Sequence, residues 1–304
     1  MDFRFTQDQQ DLIDGSKAFF DSEITVERMR KMANGEQVTD LWPKFAALGL
    51  LGLMAPESAG GLEQPLVVMV GVAQAAGYAG LSEPYIEIAG ITVPHAKEDE
   101  LSGQIRRAVR SDLRPYIDAS LTETGEVVNS IDPLRKLVKA EDGNDENVDS
   151  VNLHGAVLNA AQLIGLSKRM LDMSVDYAQE RHQFGKPIGS FQAVKHQLAN
   201  VHTQIEFTRP IIHLAAMKGG VAVHNAKVAA IDTAMLAAET AIQVHGGMGY
   251  TFEVDLHLFM KRAWALCGEW GDRNYHMKKL EDYILEGNAE FGPGQTFNEE
   301  NHYG

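Results

Sequence analysis

From Leu153 onward the sequence keeps a helical hydrophobic period for most of its length, and two short segments interrupt it. Residues 153–180 set Leu158, Ala161, Ile164 and Leu171 toward one side, with Lys168, Asp172 and Asp176 on the other. The i,i+4 pair Lys168–Asp172 adds about 0.2–0.5 kcal/mol to such a helix. Further helices are predicted over 190–217, 222–244 and 254–287. Long helices joined by short links bury their apolar stripes on one another, so this half of the chain reads as an antiparallel bundle.

The first 95 residues read as shorter helices joined by glycine turns. Thr6 and Gln9 form a T-x-x-Q capping box, with Leu12, Ile13, Phe19 and Phe20 following on roughly one face. "LWPKFAALGLLGLMAPESAGG" predicts a short helix ended at Gly49, a buried apolar stretch, and a turn at Gly60–Gly61. "PLVVMVGVAQAAGYAG" is apolar nearly all round, which predicts a fully buried helix. From about 96 to 150 the character changes. "AKEDELSGQIRRAVRSDL" is a charged, exposed helix at most, and the following stretch offers short β-like pieces too few for an independent barrel. The expected division is an N-terminal helical domain over 1–95, a reduced middle β-region over 96–150, a C-terminal helical bundle over 151–290 and a tail over 291–304. The fold class is mainly α.

Charge and composition limit the partners. A formal net charge of −15 argues against nucleic acid or an anionic membrane surface. A local arginine still holds a phosphate inside an acidic protein. No apolar run reaches the roughly 18–20 residues a membrane span needs, and the opening "MDFRFTQDQQ" has no secretory pattern. The lone Cys267 forms no internal disulfide and fits a reducing compartment, so a cytoplasmic location is expected. Among eleven histidines there is no H-E-x-x-H, and the sole E-x-x-H, Glu299 with His302, lies in the tail, so no metal site is expected. His196 and His202 read as surface or interhelix groups, Cys267 as a packed thiol, and Trp264 and Trp270 as interface or bundle core.

The interrupting segments are "RHQFGKPIGSFQ", residues 181–192, and "QVHGGMGY", residues 243–250. Gly246–Gly247 ends a helix and bares backbone to another molecule, and the fork of Arg181 suits an anion. Each alone has an ordinary explanation, as a helix cap or a solvated charge.

In this order and spacing, they resemble the C-terminal domain of the FAD-dependent acyl-CoA dehydrogenase family. "FTQDQQDL", "WPKFAALGLLGLMAPESAGG", "GEVVNSIDPLRKL" and "YAQERHQFGKPIGSFQAVKHQLAN" are similar to that family's landmarks, in its order. The resemblance covers roughly 1–95 and 125–287. It implies an N-terminal helical domain, a middle β-domain and a C-terminal four-helix bundle. It implies also that Arg181, Gln183 and Phe184 meet the FAD pyrophosphate or its surroundings, with Gln192 close by. Gln243, Val244, His245, Gly246 and Gly247 would contact the ADP half, across a subunit interface.

Two departures qualify this. The family's middle domain carries a Thr-Glu-Pro-x-Gly-Ser-Asp type loop and strands that hold the flavin ring and thioester; here only Leu121–Val127 is similar. The chain is therefore not expected to build a complete flavin pocket from its own residues. The family also needs a carboxylate to take the α-proton of the thioester. Counting from Arg262 puts Gly271 at its usual position, with Glu269 and Asp272 off register. The position used by a minority branch is Gly155, followed by Ala156. No residue of this chain is assigned as catalytic.

The resemblance thus runs to the shortened, non-catalytic subunit of a heteromeric α2β2 acyl-CoA dehydrogenase, of the kind that degrades steroid side chains. It implies a second, longer dehydrogenase subunit as partner, FAD shared across their interface, an acyl-CoA substrate that is α,β-desaturated, and an electron-transfer flavoprotein as acceptor. Two other readings stand beside it: a self-sufficient homomeric enzyme with an unusual base, and a scaffold subunit that has lost flavin.

Overall fold

Thr6 opens the first helix. Its hydroxyl accepts from the Gln9 amide at 3.3 Å, and the Gln9 side chain accepts from the Thr6 N–H at 3.1 Å, closing the expected capping box. The computed structural model describes residues 4–92, 101, 113, 116–121, 125–139 and 148–287. The charged helix expected over 96–113 and the tail lie almost wholly outside the described residues. Helices α1 (Gln7–Glu23), α2 (Val26–Ala33) and α3 (Trp42–Ala47) surround an aromatic knot in which Phe45 lies 4.8 Å from Tyr85 and Phe20 lies 5.7 Å from it. The Tyr85 hydroxyl, fully enclosed, donates to the Leu50 carbonyl at 2.9 Å.

Helix α4 (Leu66–Ala79) follows Pro65 and ends at Gly80, φ +78. As expected, it is buried nearly all round, with Val68, Met69, Val70, Val72, Ala73 and Ala76 in the core. The short turn α5 (Tyr85–Glu87) then leads into residues 88–92. Helix α6 (Val148–Glu180) has 33 residues and runs roughly 50 Å at 1.5 Å per residue. It crosses α4 backbone against backbone. A β-carbon on Gly77 would sit 2.2 Å from the Gln162 carbonyl oxygen, and one on Gly165 would sit 2.1 Å from the Gln74 carbonyl oxygen. Only glycine permits this approach.

The bundle continues with α7 (Gln192–Lys218) and α8 (Val221–His245), joined by Gly219–Gly220, and both pack on α6. The helix expected over 254–287 is two: α9 (Leu256–Cys267) and α10 (Arg273–Leu285). Trp270 and Gly271 take left-handed backbone, φ +58 and +88, and Asp272 caps α10 by accepting from the Tyr275 N–H at 2.8 Å. Leu158, Ala161, Ile164 and Leu171 are buried and Lys168 pairs with Asp172, as the periodicity predicts.

The middle region is a three-stranded antiparallel sheet of three-residue strands: β1 (Tyr116–Asp118), β2 (Glu126–Val128) and, between them, β3 (Leu137–Lys139). So small a sheet buries little apolar surface of its own; buried ions also tie it to the helices. The Arg135 guanidinium reaches Glu87 at 3.0 Å, Asp118 at 3.3 Å and Glu269 at 3.5 Å. Asp132 meets the enclosed Arg262 of α9 at 2.9 Å. Burial opposes the charge on Arg135, and the surrounding carboxylates more than offset it.

Candidate functional site

Past Glu180 the chain folds into a two-stranded hairpin, β4 (His182–Gln183) against β5 (Lys186–Pro187), with His182 opposite Pro187 and Gln183 opposite Lys186. Its turn residues, Phe184 and Gly185, sit at φ +54 and +80, the geometry of a two-residue hairpin turn with both central residues left-handed. A phenylalanine there is strained, yet Phe184 holds its ring 91% exposed, edge-on to Phe191 at 6.1 Å. The Lys186 ammonium lies 4.4 Å over the Phe191 ring, and the Ile188 N–H donates to the Arg181 carbonyl at 2.8 Å. These contacts fix the backbone. Arg181, Gln183 and Gln192 are all exposed, and among the described residues their side chains are drawn into no hydrogen bond or ion pair. Gln192 is the first residue of α7, whose leading N–H groups receive no side-chain cap. They add a partial positive charge.

The second segment closes α8. Gly246, at φ +60 and ψ −135, occupies backbone space that glycine alone adopts readily, and a β-carbon on Gly246 or Gly247 would meet nothing within 4 Å. Their outer face is open. Gln243 is exposed, whereas the side chains of Val244 and His245 turn inward, 7% and 4% exposed, so that their outward offering is backbone. His245 donates from Nδ1 to the Ala241 carbonyl at 2.8 Å, and burial holds its pKa below the usual histidine value.

The two segments meet through one stack. The His245 ring lies nearly parallel on Tyr177, centroids 4.4 Å apart, and the Tyr177 carbonyl accepts from the Arg181 N–H at 2.8 Å. One end of the bundle therefore gathers a guanidinium, three exposed amides, an uncapped helix start and a bare diglycine. This donor set fits a diphosphate, which takes charge-assisted forks and close backbone approach. The exposed Phe184 adds an aromatic surface beside it.

The two positions at which the resemblance leads one to expect a proton-abstracting carboxylate, 155 and 271, are glycines in closely filled surroundings. A β-carbon on Gly155 would lie 2.3 Å from Cδ2 of Trp270, whose indole fills that space and is 2% exposed. A β-carbon on Gly271 would lie 2.7 Å from the His276 ring. Glu269 is engaged by Arg135, and Asp272 is a helix cap. Trp270 is held at both backbone ends: its N–H donates to the Leu113 carbonyl at 3.0 Å and its carbonyl accepts from Nε2 of His276 at 2.9 Å.

Sequence reasoning missed the polar groups behind this wall. Lys227 is fully enclosed, donating to Asn159 and, at 3.1 Å, to the Leu266 carbonyl; burial pulls its pKa down to about 8. His276 shares a 2.8 Å hydrogen bond with His224 and is pushed down to about 4, chiefly by burial. Cys267 is a packed thiol raised to about 11 by burial. A lysine amid alanines in the second turn of α8 was the available signal. Among the described residues no helix is long and apolar enough to cross a membrane, and no cluster of His, Cys, Asp and Glu is arranged to hold a metal.

Comparison with known proteins identifies the family of the fold. The family model for the acyl-CoA dehydrogenase N-terminal domain matches residues 6–93, and that for the C-terminal domain matches residues 150–280. Acyl-CoA dehydrogenase IpdE2 of Mycobacterium tuberculosis is 32% identical over 192 residues, covering 61% of this chain and 56% of that protein. The chain spans about half the length of the curated relatives it matches, 56% and 42% for the IpdE2 proteins of M. tuberculosis and Mycolicibacterium smegmatis. The ChsE4-ChsE5 complex from M. tuberculosis has a chain of the same fold, with TM-score 0.80 and 20% identity over 94% of this chain and 99% of that one. A variant of the Tcur3481-Tcur3483 steroid ACAD gives TM-score 0.77 and 21% identity, over 93% and 99%. With two domains of one family matched in order along most of its length, this chain belongs to the acyl-CoA dehydrogenase family.

Proposed function

We propose that this chain is the shortened, non-catalytic subunit of a heteromeric acyl-CoA dehydrogenase, completing an FAD site whose ring pocket and base belong to a longer partner. One observation carries the reading. Arg181, Gln183, Gln192 and Gln243, the donors this reading assigns to the cofactor, are exposed, while the two positions it would assign to a base are glycine and Trp270 fills the space over Gly155. A subunit acting alone needs both halves.

In this reading Arg181 and Gln192 donate to the diphosphate, Gln183 and Phe184 flank it, and the backbone of residues 243–247 lines the ADP half. FAD held there would supply the acceptor for the hydride that leaves the β-carbon of the acyl-CoA. The α-proton goes to a carboxylate of the partner, and the electrons pass on to an electron-transfer flavoprotein. That the ChsE4-ChsE5 complex and the Tcur3481-Tcur3483 steroid ACAD are each named for two chains supports a partner subunit, and the second supports a steroid thioester as substrate. The expected division at 95, 150 and 290 belongs to the same proposal: the middle segment is reduced because the partner supplies that layer.

The test is turnover with an artificial electron acceptor, by the chain alone and after mixing with a longer acyl-CoA dehydrogenase subunit as candidate partner. The mixture alone should desaturate a steroid side-chain acyl-CoA. Desaturation by the isolated chain would overturn the reading.

A further inference from the structure

Arg181 follows the last residue of α6, and Gly246 follows the last residue of α8. On the proposed cofactor reading, on which this inference rests, one diphosphate meets both. A binding constellation of this kind works only when its donors are held to within about 0.5 Å. Two separate helix ends do not supply that by themselves.

The Tyr177–His245 stack joins the two ends, with ring centroids 4.4 Å apart and planes 25° apart. Both rings are tied to the backbone that presents the donors. Tyr177 lies one helical turn before Arg181, and its carbonyl accepts the Arg181 N–H at 2.8 Å. The Arg181 carbonyl in turn accepts from the Ile188 N–H at 2.8 Å, so the β4–β5 hairpin is anchored to this same helix end. His245 is the last residue of α8, and its Nδ1 donates to the Ala241 carbonyl at 2.8 Å. A carbonyl only accepts, so the ring proton sits on Nδ1 and α8 itself sets the direction of the imidazole. The next residue is Gly246, at φ +60, where the bare turn begins. Burial keeps the His245 pKa below the usual value, so at neutral pH the ring brings no charge to the site. What it brings is position.

We propose that Tyr177 and His245 are positioning residues of the cofactor site: their stack sets the separation between the Arg181 guanidinium and the backbone of Gly246–Gly247, so that one diphosphate reaches both. A leucine at 177 offers apolar volume but no flat face for the imidazole. Without the stack each end settles by its own helix, and Arg181 loses its aim although its own side chain is unaltered.

The experiment is a double-mutant cycle in the assembled two-subunit complex, with FAD affinity read from the flavin absorption on re-addition of FAD to the stripped protein. Tyr177→Leu should weaken FAD binding about tenfold, a coupling ordinary for residues in contact. Tyr177→Phe keeps the ring and should recover most of that loss. Because the stack acts through Arg181, Tyr177→Leu in the Arg181→Gln background should cost less than about threefold. A role in folding alone gives the same loss in both backgrounds. His245→Asn keeps a donor for the Ala241 carbonyl and removes the ring, so it repeats the cycle from the other side of the stack. Unchanged affinity in Tyr177→Leu and His245→Asn, equal losses in both backgrounds, or failure of both variants to assemble overturns this proposal and leaves the cofactor reading in place. An Arg181→Gln complex that binds FAD as tightly as the unaltered one overturns both.

Discussion

The indole of Trp270 occupies the volume that a β-carbon on Gly155 would need, with Cδ2 2.3 Å from that position. These two residues are 115 positions apart in sequence, and in the proposed reading their contact closes one of the places where a catalytic carboxylate would stand. Gly155→Glu should therefore create no dehydrogenase. It should destabilise the chain by about 1–3 kcal/mol, the usual cost of overpacking a filled core. Trp270→Ala should cost about 3–5 kcal/mol by leaving a cavity. Urea midpoints for both variants, with turnover assays of the first, check this.

The α4–α6 crossing depends on two missing side chains. Gly165→Ala drives a methyl to 2.1 Å from the Gln74 carbonyl oxygen, backbone that cannot rotate aside. A loss of about 1–3 kcal/mol is expected from urea unfolding. An unchanged midpoint would mean that the helices are farther apart than described.

Arg135 holds three carboxylates, Glu87, Asp118 and Glu269, from three separate parts of the chain. Arg135→Met leaves them enclosed and facing one another. Removing one partner of a buried ion cluster costs about 3–5 kcal/mol. The variant should lose that much at neutral pH, and limited proteolysis should cut first near the small β1–β3 sheet.

His276 gives the chain an acid-sensitive joint. Its folded pKa, about 4, is below the ordinary 6.5, so the unfolded chain binds the proton more readily between these values. The sign follows: stability from this group is complete above pH 6.5 and lost as pH falls toward 4. A shift of this size corresponds to about 3 kcal/mol. His276→Gln keeps a donor for the Trp270 carbonyl and should flatten the dependence between pH 7 and 5 relative to the unaltered chain. Chemical denaturation at the two pH values measures the difference.

Local signals were legible in the sequence and non-local ones were not. Thr6 and Gln9 announce their cap because both partners lie within one turn. The buried side of α6 and the Lys168–Asp172 pair follow from the helical period. The break between α9 and α10 escaped a periodic reading because Trp270 adopts a left-handed backbone that its residue type does not advertise. The placement of Arg135 among Glu87, Asp118 and Glu269 depends on chain segments that meet only after folding. The segments at 181–192 and 243–247 could be picked out as interruptions, yet their meeting through Tyr177 and His245 is a tertiary fact.

FAD content of the assembled two-subunit complex, with Arg181→Gln in this chain, bears most directly on the shared site. Arg181 is exposed and holds no partner that the fold requires, so the complex should still form. The unaltered assembly should carry one FAD per pair of chains, and the variant should bind it about 10–100-fold more weakly, as loss of a charged hydrogen bond of about 1.5–3 kcal/mol implies. Full FAD occupancy and affinity in the variant, or one FAD on the isolated chain, would contradict the shared site.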